Sequence, residues 1–173
     1  YYPSFPYTAY ANMTDQDITD LWVYFKSIPE SSKPSIDHDL PMYLRWRRPL
    51  AFWKLLNKRE PIIELVSSDV TGQRGAYLVE TLGHCGECHT PRNFIGGLQY
   101  EYWLGGAKNP AGRGMIPNIT SSKLNWNTEE IVEYLASGFT PDFDVAGGHM
   151  AHVIENTSKL TEEDRIAIAE YLK

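Results

Sequence analysis

The sequence predicts an all-α fold in which a few amphipathic helices are joined by long loops. Four segments place apolar residues at helical spacing near capping residues, at residues 14–28, 72–81, 128–136 and 161–173. Residues 90–127 are rich in Gly, Pro, Asn and Ser and show no periodicity. This stretch must therefore be held by something other than helix or sheet ladders, and a bound cofactor would explain it.

The composition is that of an ordinary globular protein and excludes several classes. The chain has 173 residues, 42% of them apolar, and a net charge of −6. This charge argues against a nucleic-acid partner, because phosphates are bound by clustered Lys and Arg. No apolar run approaches the roughly 20 residues of a membrane span. Because the chain opens at Tyr1 without a methionine or a signal sequence, we expect a removed targeting segment or a piece of a longer chain.

The first predicted helix, at residues 14–28, is capped by Thr14 and ends before Pro29. Its pattern occurs twice, since MTDQD from Met13 and YFK from Tyr24 return as LTEED and YLK, each 147 residues later. The second copy closes a complete unit at residues 68–173. The repeat therefore indicates that residues 1–28 are the C-terminal tail of a preceding domain.

Residues 29–67 are predicted to be a linker or connector. Residues 30–41 are rich in Ser, Pro and charge, whereas residues 40–66 crowd aromatic side chains such as Trp46 and Trp53 among Arg and Lys. This composition allows two interpretations. The stretch is either a membrane-surface or partner-docking helix, or a connector whose aromatic side chains cover a domain interface.

The predicted helix at 128–136 has Thr128 as its cap and Gly138 as its stop. The last predicted helix, at 161–173, is capped by Thr161.

One run carries the chemistry, Cys85-Gly86-Glu87-Cys88-His89. A CxxCH run is the attachment signature of c-type haem, in which two thiols bind the porphyrin and the histidine binds the iron. Random placement of two Cys and five His would give this arrangement about once in 3,000 chains. A thioredoxin-like pair would follow a strand in an α/β pattern, and a structural zinc site needs four close ligands. Neither context is present, so we expect one covalent haem.

The second axial ligand of such an iron decides between electron transfer and ligand binding. The candidates downstream are Met115, His149, Met150 and His152. Met150 follows Gly147 and Gly148, which allow a tight loop. Filling the core is the usual role of a methionine, so the residues alone leave this choice open.

Residues from about Gly72 to Lys173 resemble a class I cytochrome c domain. The residues that carry this resemblance are Gly75-Ala76-Tyr77-Leu78, the run from Cys85 to Asn93, Pro117-Asn118-Ile119-Thr120, Gly147-Gly148-His149-Met150 and Leu160 to Lys173. The whole chain resembles the diheme cytochrome c family related to the cytochrome subunits of periplasmic membrane-bound dehydrogenases.

That resemblance implies roles for individual residues. His89 and Met150 become the axial pair, and Pro91 offers its carbonyl to the His89 imidazole. Arg92 and Asn118 are expected to lie near the haem propionates. The opening and closing helices of the unit should cross through Gly75 and Tyr171.

The chain departs from the family pattern in its first part, which has neither a CxxCH run nor the methionine expected where Phe5 stands. Met13 could replace that ligand, but its equivalent in the repeat is Leu160, a packing position. A first haem is therefore not predicted from these residues, although a polypeptide carrying one is an expected partner.

The resemblance implies a periplasmic electron-transfer protein between a dehydrogenase and a downstream cytochrome or oxidase. We expect that the protein itself catalyses no reaction on a substrate. The alternatives are part of a diheme enzyme that oxidises a sulfur compound, and a haem-based sensor. The expected partners are redox proteins, with peripheral membrane association as a further expectation.

Overall fold

The structure, a computed structural model, describes residues 5–57, 69–110 and 112–173. These residues fall into two compact units, one within residues 1–60 and the other within residues 61–173. The boundary predicted between residues 67 and 68 lies outside the described residues. Within the described residues, every helix is too short or too polar to cross a bilayer.

Within residues 5–57, the first unit contains four helices joined by extended chain. They are α1 (Tyr7–Tyr10), α2 (Asp15–Ser27), α3 (Met42–Arg45) and α4 (Pro49–Leu56). The Thr14 hydroxyl accepts a hydrogen bond from the Asp17 N–H at 3.1 Å, which confirms the predicted cap of α2. No residue of α2 is buried in the structure.

The second unit contains five α-helices and one short pair of strands in its described residues. The helices are α5 (Val70–Tyr77), α6 (Gly86–His89), α7 (Thr128–Ser137), α8 (His149–Thr157) and α9 (Glu162–Leu172). Strand β1 (Ala107–Lys108) pairs antiparallel with β2 (Met115–Ile116). Two further turns complete the unit, a π-type turn at Leu78–Leu82 and a 3-10 turn at Tyr100–Tyr102.

The all-α expectation is confirmed in outline, because helices dominate both units. Three details differ. The cap of α7 is Asn127 rather than Thr128, because the Asn127 side chain and Glu130 form a reciprocal capping box. A two-stranded ladder does occur within residues 90–127. Helix α8 was not expected, because Gly148 before it provides no side-chain cap that would mark its start.

The core of the second unit is built where α9 crosses α5. Gly75 is buried there, and a Cβ at this position would overlap the carbonyl of Ala167 and crowd the Cβ of Tyr171. The close approach therefore requires glycine. The predicted crossing through Gly75 and Tyr171 is confirmed. Buried apolar side chains from α7, α9 and the π-type turn complete the cluster, among them Val79, Ile131 and Ile168.

Candidate functional site: a haem attachment turn

The predicted attachment residues lie on a single helical turn that the backbone isolates from the helix before it. The π-type turn ends at Gly83, and His84 adopts a left-handed backbone with φ of 38°. This conformation breaks the helical path and lets α6 start anew after Cys85. Cys85 and Cys88 are both free thiols, so they are available for covalent attachment.

The His89 ring is oriented by one hydrogen bond. Its Nδ1 lies 2.8 Å from the carbonyl oxygen of Pro117. Because a carbonyl can only accept, Nδ1 carries the proton and Nε2 is left with the lone pair that binds a metal. A ligating histidine held in this way has a fixed tautomer and a fixed ring direction.

The carbonyl predicted for this role was that of Pro91, and the prediction is wrong. Residue Thr90 is extended after α6, with φ of −112° and ψ of 133°, and the ring bonds to Pro117 instead. The Pro91 carbonyl instead accepts from the N–H of Gln99 at 2.8 Å. Pro117 was recognised as part of a motif, but a backbone carbonyl has no side-chain signature that would have revealed its role.

Backbone hydrogen bonds fasten the following loop to the attachment turn. The Thr90 hydroxyl, which is buried, accepts from the N–H of Leu104 at 3.1 Å. The His89 carbonyl accepts from the N–H of Gly106 at 2.7 Å. These bonds bring the loop that leads to Pro117 against α6. Part of the stretch that was expected to depend on a cofactor is therefore held by its own backbone.

A second support reaches the attachment turn from the helix crossing. The Trp103 ring lies directly over Gly86, and a Cβ at this position would overlap the ring. The first of the two residues between the thiols must therefore be glycine. The Trp103 indole N–H donates to the Tyr171 hydroxyl at 3.1 Å. That hydroxyl donates to the carboxylate of Glu80 at 2.8 Å, and Glu80 is buried. No motif or spacing in the sequence predicts this chain of contacts, because its members lie far apart along the chain.

The electrostatic environment of the turn favours uncharged side chains. Burial raises the pKa of the Cys85 thiol to about 11, and burial together with the Glu87 carboxylate raises the pKa of Cys88. Burial lowers the pKa of His89, although the bond to the Pro117 carbonyl opposes this effect. The imidazole is therefore neutral at neutral pH, which is the form that binds a metal.

The two residues predicted to lie near haem propionates have local partners. Arg92 forms an ion pair with Glu87, inside the CxxCH run, and donates to the Gly96 carbonyl at 2.9 Å. The Asn118 carbonyl oxygen accepts from the Thr120 N–H at 2.9 Å and from its hydroxyl at 2.7 Å. Arg92 therefore contacts the turn through Glu87, whereas Asn118 contacts Thr120, and the roles of both toward propionates stay predictions.

The candidate second ligands differ in their surroundings. Met150, the second residue of α8, is half-buried and packs against the same hydrophobic cluster as Cys85. Met115 lies in β2 with 68% of its surface exposed. His149 and His152 are exposed, and the His152 ring lies 3.5 Å from the carboxylate of Glu155. Met150 is the candidate that the packing favours.

The residues present fit a haem. Two free thiols and a fixed imidazole lie within one helical turn. The loop that leads to Met150 exposes large apolar side chains, Phe139, Phe143 and Val145. Exposed apolar side chains of this size are what a large apolar cofactor would cover. The site thus has the properties of a c-type cytochrome.

Comparison with known proteins points to the same class. No family model matches the chain. Over its whole length it is 53% identical to a diheme cytochrome c-type protein of Cereibacter sphaeroides, of which it covers 58%. Over 99% of its length it is 35% identical to the fructose dehydrogenase cytochrome subunit of Gluconobacter japonicus, covering 36% of that subunit. It is 33% identical to the cytochrome c subunit of the alcohol dehydrogenase (quinone) of Gluconobacter oxydans, covering 38%.

The chain is therefore a relative of the c-type cytochromes, and more particularly of the diheme cytochromes c and the cytochrome subunits of dehydrogenases. This confirms the resemblance recognised in the sequence. The chain spans between about a third and three fifths of the length of these relatives.

Proposed function

We propose that this protein is an electron-transfer cytochrome that carries one covalent haem c in its second unit. The observation that carries the proposal is the attachment turn, in which Cys85, Cys88 and His89 lie on one helical turn and the Pro117 carbonyl orients the imidazole. A haem iron supplies one-electron exchange between ferric and ferrous states. The names of the relatives support this role and give no support to the sulfur-oxidising or sensor alternatives.

The residues of the chain have distinct parts in the proposal. Cys85 and Cys88 would hold the porphyrin, and His89 and Met150 would be the protein ligands of the iron. Arg92 and Asn118 would lie near the haem propionates, and Pro117 rather than Pro91 orients His89. Trp103 and Leu104 exclude water from the attachment turn. An iron with both axial positions filled by protein has no site for a substrate, which suits an electron carrier rather than an enzyme.

The setting of the protein follows by analogy with its relatives. Relatives named as cytochrome subunits of fructose, alcohol and gluconate dehydrogenases suggest that a dehydrogenase supplies the electrons. A downstream cytochrome or an oxidase would accept them. We place the protein in the periplasm, where c-type attachment takes place in the family it resembles. A polypeptide or domain with a further haem is an expected neighbour, because a relative that is 53% identical to the chain is described as diheme.

The first test is the mass of the protein isolated after export in a host that attaches c-type haem. We expect the mass of the polypeptide plus one haem, and a haem stain that survives denaturation. Changing Cys88 to Ser should weaken or abolish covalent attachment, whereas changing the exposed Ser122 to Ala should have no effect. A mass equal to the bare polypeptide would contradict the proposal.

The second test concerns the axial ligand and separates electron transfer from ligand binding. Replacing Met150 by Ala should abolish the weak near-infrared band of thioether-ligated ferric haem, lower the reduction potential and allow the ferrous protein to bind carbon monoxide. Replacing the exposed Met115 by Ala is the matched control and should change none of these. Loss of the band in the Met115 variant, or carbon monoxide binding by the unaltered protein, would contradict the assignment.

A further inference from the structure

The two ends of helix α8, which carries Met150, are held differently. The chain enters this helix through Gly147 and Gly148, and in the described part of the chain a Cβ built at either glycine would meet nothing beyond its chain neighbours within 4 Å. Gly148 has φ of 56° and gives the helix no side-chain cap. The entry to the turn that presents Met150 is therefore open, and contacts elsewhere must set the direction of α8.

The C-terminal end of α8 is held by a cation from α9. The Arg165 Nη1 donates to the carbonyl oxygen of Leu160 at 2.5 Å. The same nitrogen lies 3.4 Å from the Ser158 carbonyl oxygen and 3.5 Å from that of Thr157. Thr157 is the last residue of α8 and Ser158 is its C-cap, so their carbonyls have no partner within the helix. A guanidinium group at this end also complements the partial negative charge of the helix terminus.

The same end of α8 is tied to α7. The Thr157 hydroxyl donates to the Leu135 carbonyl at 2.7 Å. Ile154, one turn earlier, is buried, and its Cγ2 lies 3.4 Å from a Cβ built at Gly138, the residue that ends α7. Met150 precedes Thr157 by seven residues, which is about 10 Å along the helix axis. Because an α-helix is a stiff element, the contacts at Thr157 set the direction in which Met150 is presented.

Nothing in α9 itself requires an arginine at position 165. The Arg165 Nε is buried and has no hydrogen-bond partner among the described residues. Leaving a buried guanidinium nitrogen unpaired costs free energy. The equivalent position in the repeat is Ile18 of α2, which is 52% exposed. A helix with the same cap therefore forms without an arginine there, so Arg165 serves an element other than its own helix.

We propose that Arg165 is a positioning residue for Met150, because it fixes the far end of the helix that presents the thioether. The inference rests on the proposed function, in which Met150 is the second axial ligand. An arginine with a purely structural role would stabilise the fold without changing the ligands of the iron. A positioning arginine changes the coordination in a protein that is still folded, and this difference can be measured.

The experiment uses the exported protein with its haem attached and the variant Arg165→Gln. We expect the near-infrared thioether band to weaken and the ferrous protein to bind carbon monoxide, each to an extent between the unaltered protein and Met150→Ala. The reduction potential should move in the same direction as in Met150→Ala. The amides of α8 should exchange about tenfold faster, because the hydrogen bonds that are lost have a charged donor.

Two further variants separate positioning from stability. Arg165→Lys keeps the charge but replaces the planar guanidinium by one ammonium group, so it should retain more of the band than Arg165→Gln and bind carbon monoxide less tightly. Thr161→Ala is the matched control, because it removes the capping hydrogen bond from the Asp164 N–H at the start of the same helix. This control should destabilise α9 and leave both the band and the exclusion of carbon monoxide unchanged. If Arg165→Gln yields no folded protein, the comparison of Arg165→Lys with Thr161→Ala decides.

Two results would overturn the proposal. One is a band and an exclusion of carbon monoxide that match the unaltered protein in Arg165→Gln or, where that variant does not fold, in Arg165→Lys. The other is an equal change in Thr161→Ala. If Met150→Ala abolishes the band while Arg165→Gln keeps it, this inference fails and the electron-transfer proposal stands. If Met150→Ala keeps the band, the axial assignment fails and this inference fails with it.

Discussion

The two units contain the same helix in two environments. Helices α2 and α9 are capped alike, since Thr14 accepts from the Asp17 N–H at 3.1 Å and Thr161 accepts from the Asp164 N–H at 3.2 Å. Residues 15–25 of α2 correspond to residues 162–172 of α9, each 147 residues later. Yet α9 buries Ala167, Ile168 and Ala169, whereas α2 buries no residue.

The difference is clearest at the repeated tyrosine. Tyr171 of α9 links Trp103 to the buried Glu80 through its hydroxyl. Its equivalent Tyr24 is an exposed ring that contacts the neighbouring Phe25 ring at 5.9 Å between centroids. The local sequence therefore determines that a helix forms and where it begins, whereas burial depends on the elements that pack against it.

The largest expected difference between the two copies is in the loss of stability when Ile168 or its equivalent, Leu21, is replaced by Ala. Changing Ile168 to Ala should lower the free energy of unfolding of the second unit by about 3 kcal/mol, because Ile168 is buried in the core. Changing Leu21 to Ala should cost less than about 1 kcal/mol, since Leu21 is exposed in the structure. Hydrogen exchange of peptides from each helix measures both. Equal losses would show that α2 is buried in solution by another surface.

A smaller difference is expected at the tyrosine pair. Changing Tyr171 to Phe should cost about 2 kcal/mol, because the buried Glu80 loses a donor and the Trp103 N–H loses its acceptor. Changing the exposed Tyr24 to Phe should have almost no effect. Urea unfolding of both variants, followed by tryptophan fluorescence, gives the two values. A Tyr171 variant as stable as the unaltered protein would show that this hydroxyl does not support the attachment turn.

The smallest effect should be the same in both copies. Changing Thr14 or Thr161 to Ala removes an equivalent capping hydrogen bond, and each change should cost about 1 kcal/mol. Amide exchange in the first turn of α2 and of α9 gives the local opening free energies. A much larger cost at Thr161 would mean that its cap depends on tertiary contacts, and the separation of local from tertiary effects would then fail.

Local signals explain how much of the fold was predictable. Helix α2 was expected at residues 14–28 and lies at Asp15–Ser27, because its cap and its terminating proline are both local. Gly138 ends α7 with φ of 80°, as expected from glycine after an apolar period. Asn127 and Thr128 are both good caps, and only the reciprocal bond from Glu130 decides between them. Helix α8 carries no comparable cap and was missed.

The residues of the candidate site were likewise predictable where the signal is local and unpredictable where it depends on tertiary contacts. Cys85, Cys88 and His89 were predicted because the residues that attach haem lie within five positions of each other in the sequence. The contacts that support them join residues 14 to 91 positions apart along the chain and act through backbone carbonyls, a hydroxyl and a ring face. No spacing rule links Pro117 to His89 or Glu80 to Tyr171, because loops and the helix crossing bring them together. The choice between Pro91 and Pro117 could not be made without that geometry.

The π-type turn at Leu78–Leu82 sets the angular phase between two parts of the molecule. Its Gly83 N–H donates to the carbonyl of Leu78, five residues earlier, at 2.7 Å, and the Cys85 N–H reaches back to Val79 at 2.9 Å. Each residue of an α-helix advances the side-chain direction by about 100°. A π turn absorbs one residue more than an α turn, so the side chains at its end are offset by that step from a continuous helix. The left-handed His84 then redirects the chain, so the attachment turn is not a continuation of the helix that crosses at Gly75. A single-residue deletion in this turn would rotate the thiols away from their direction while leaving the crossing in place.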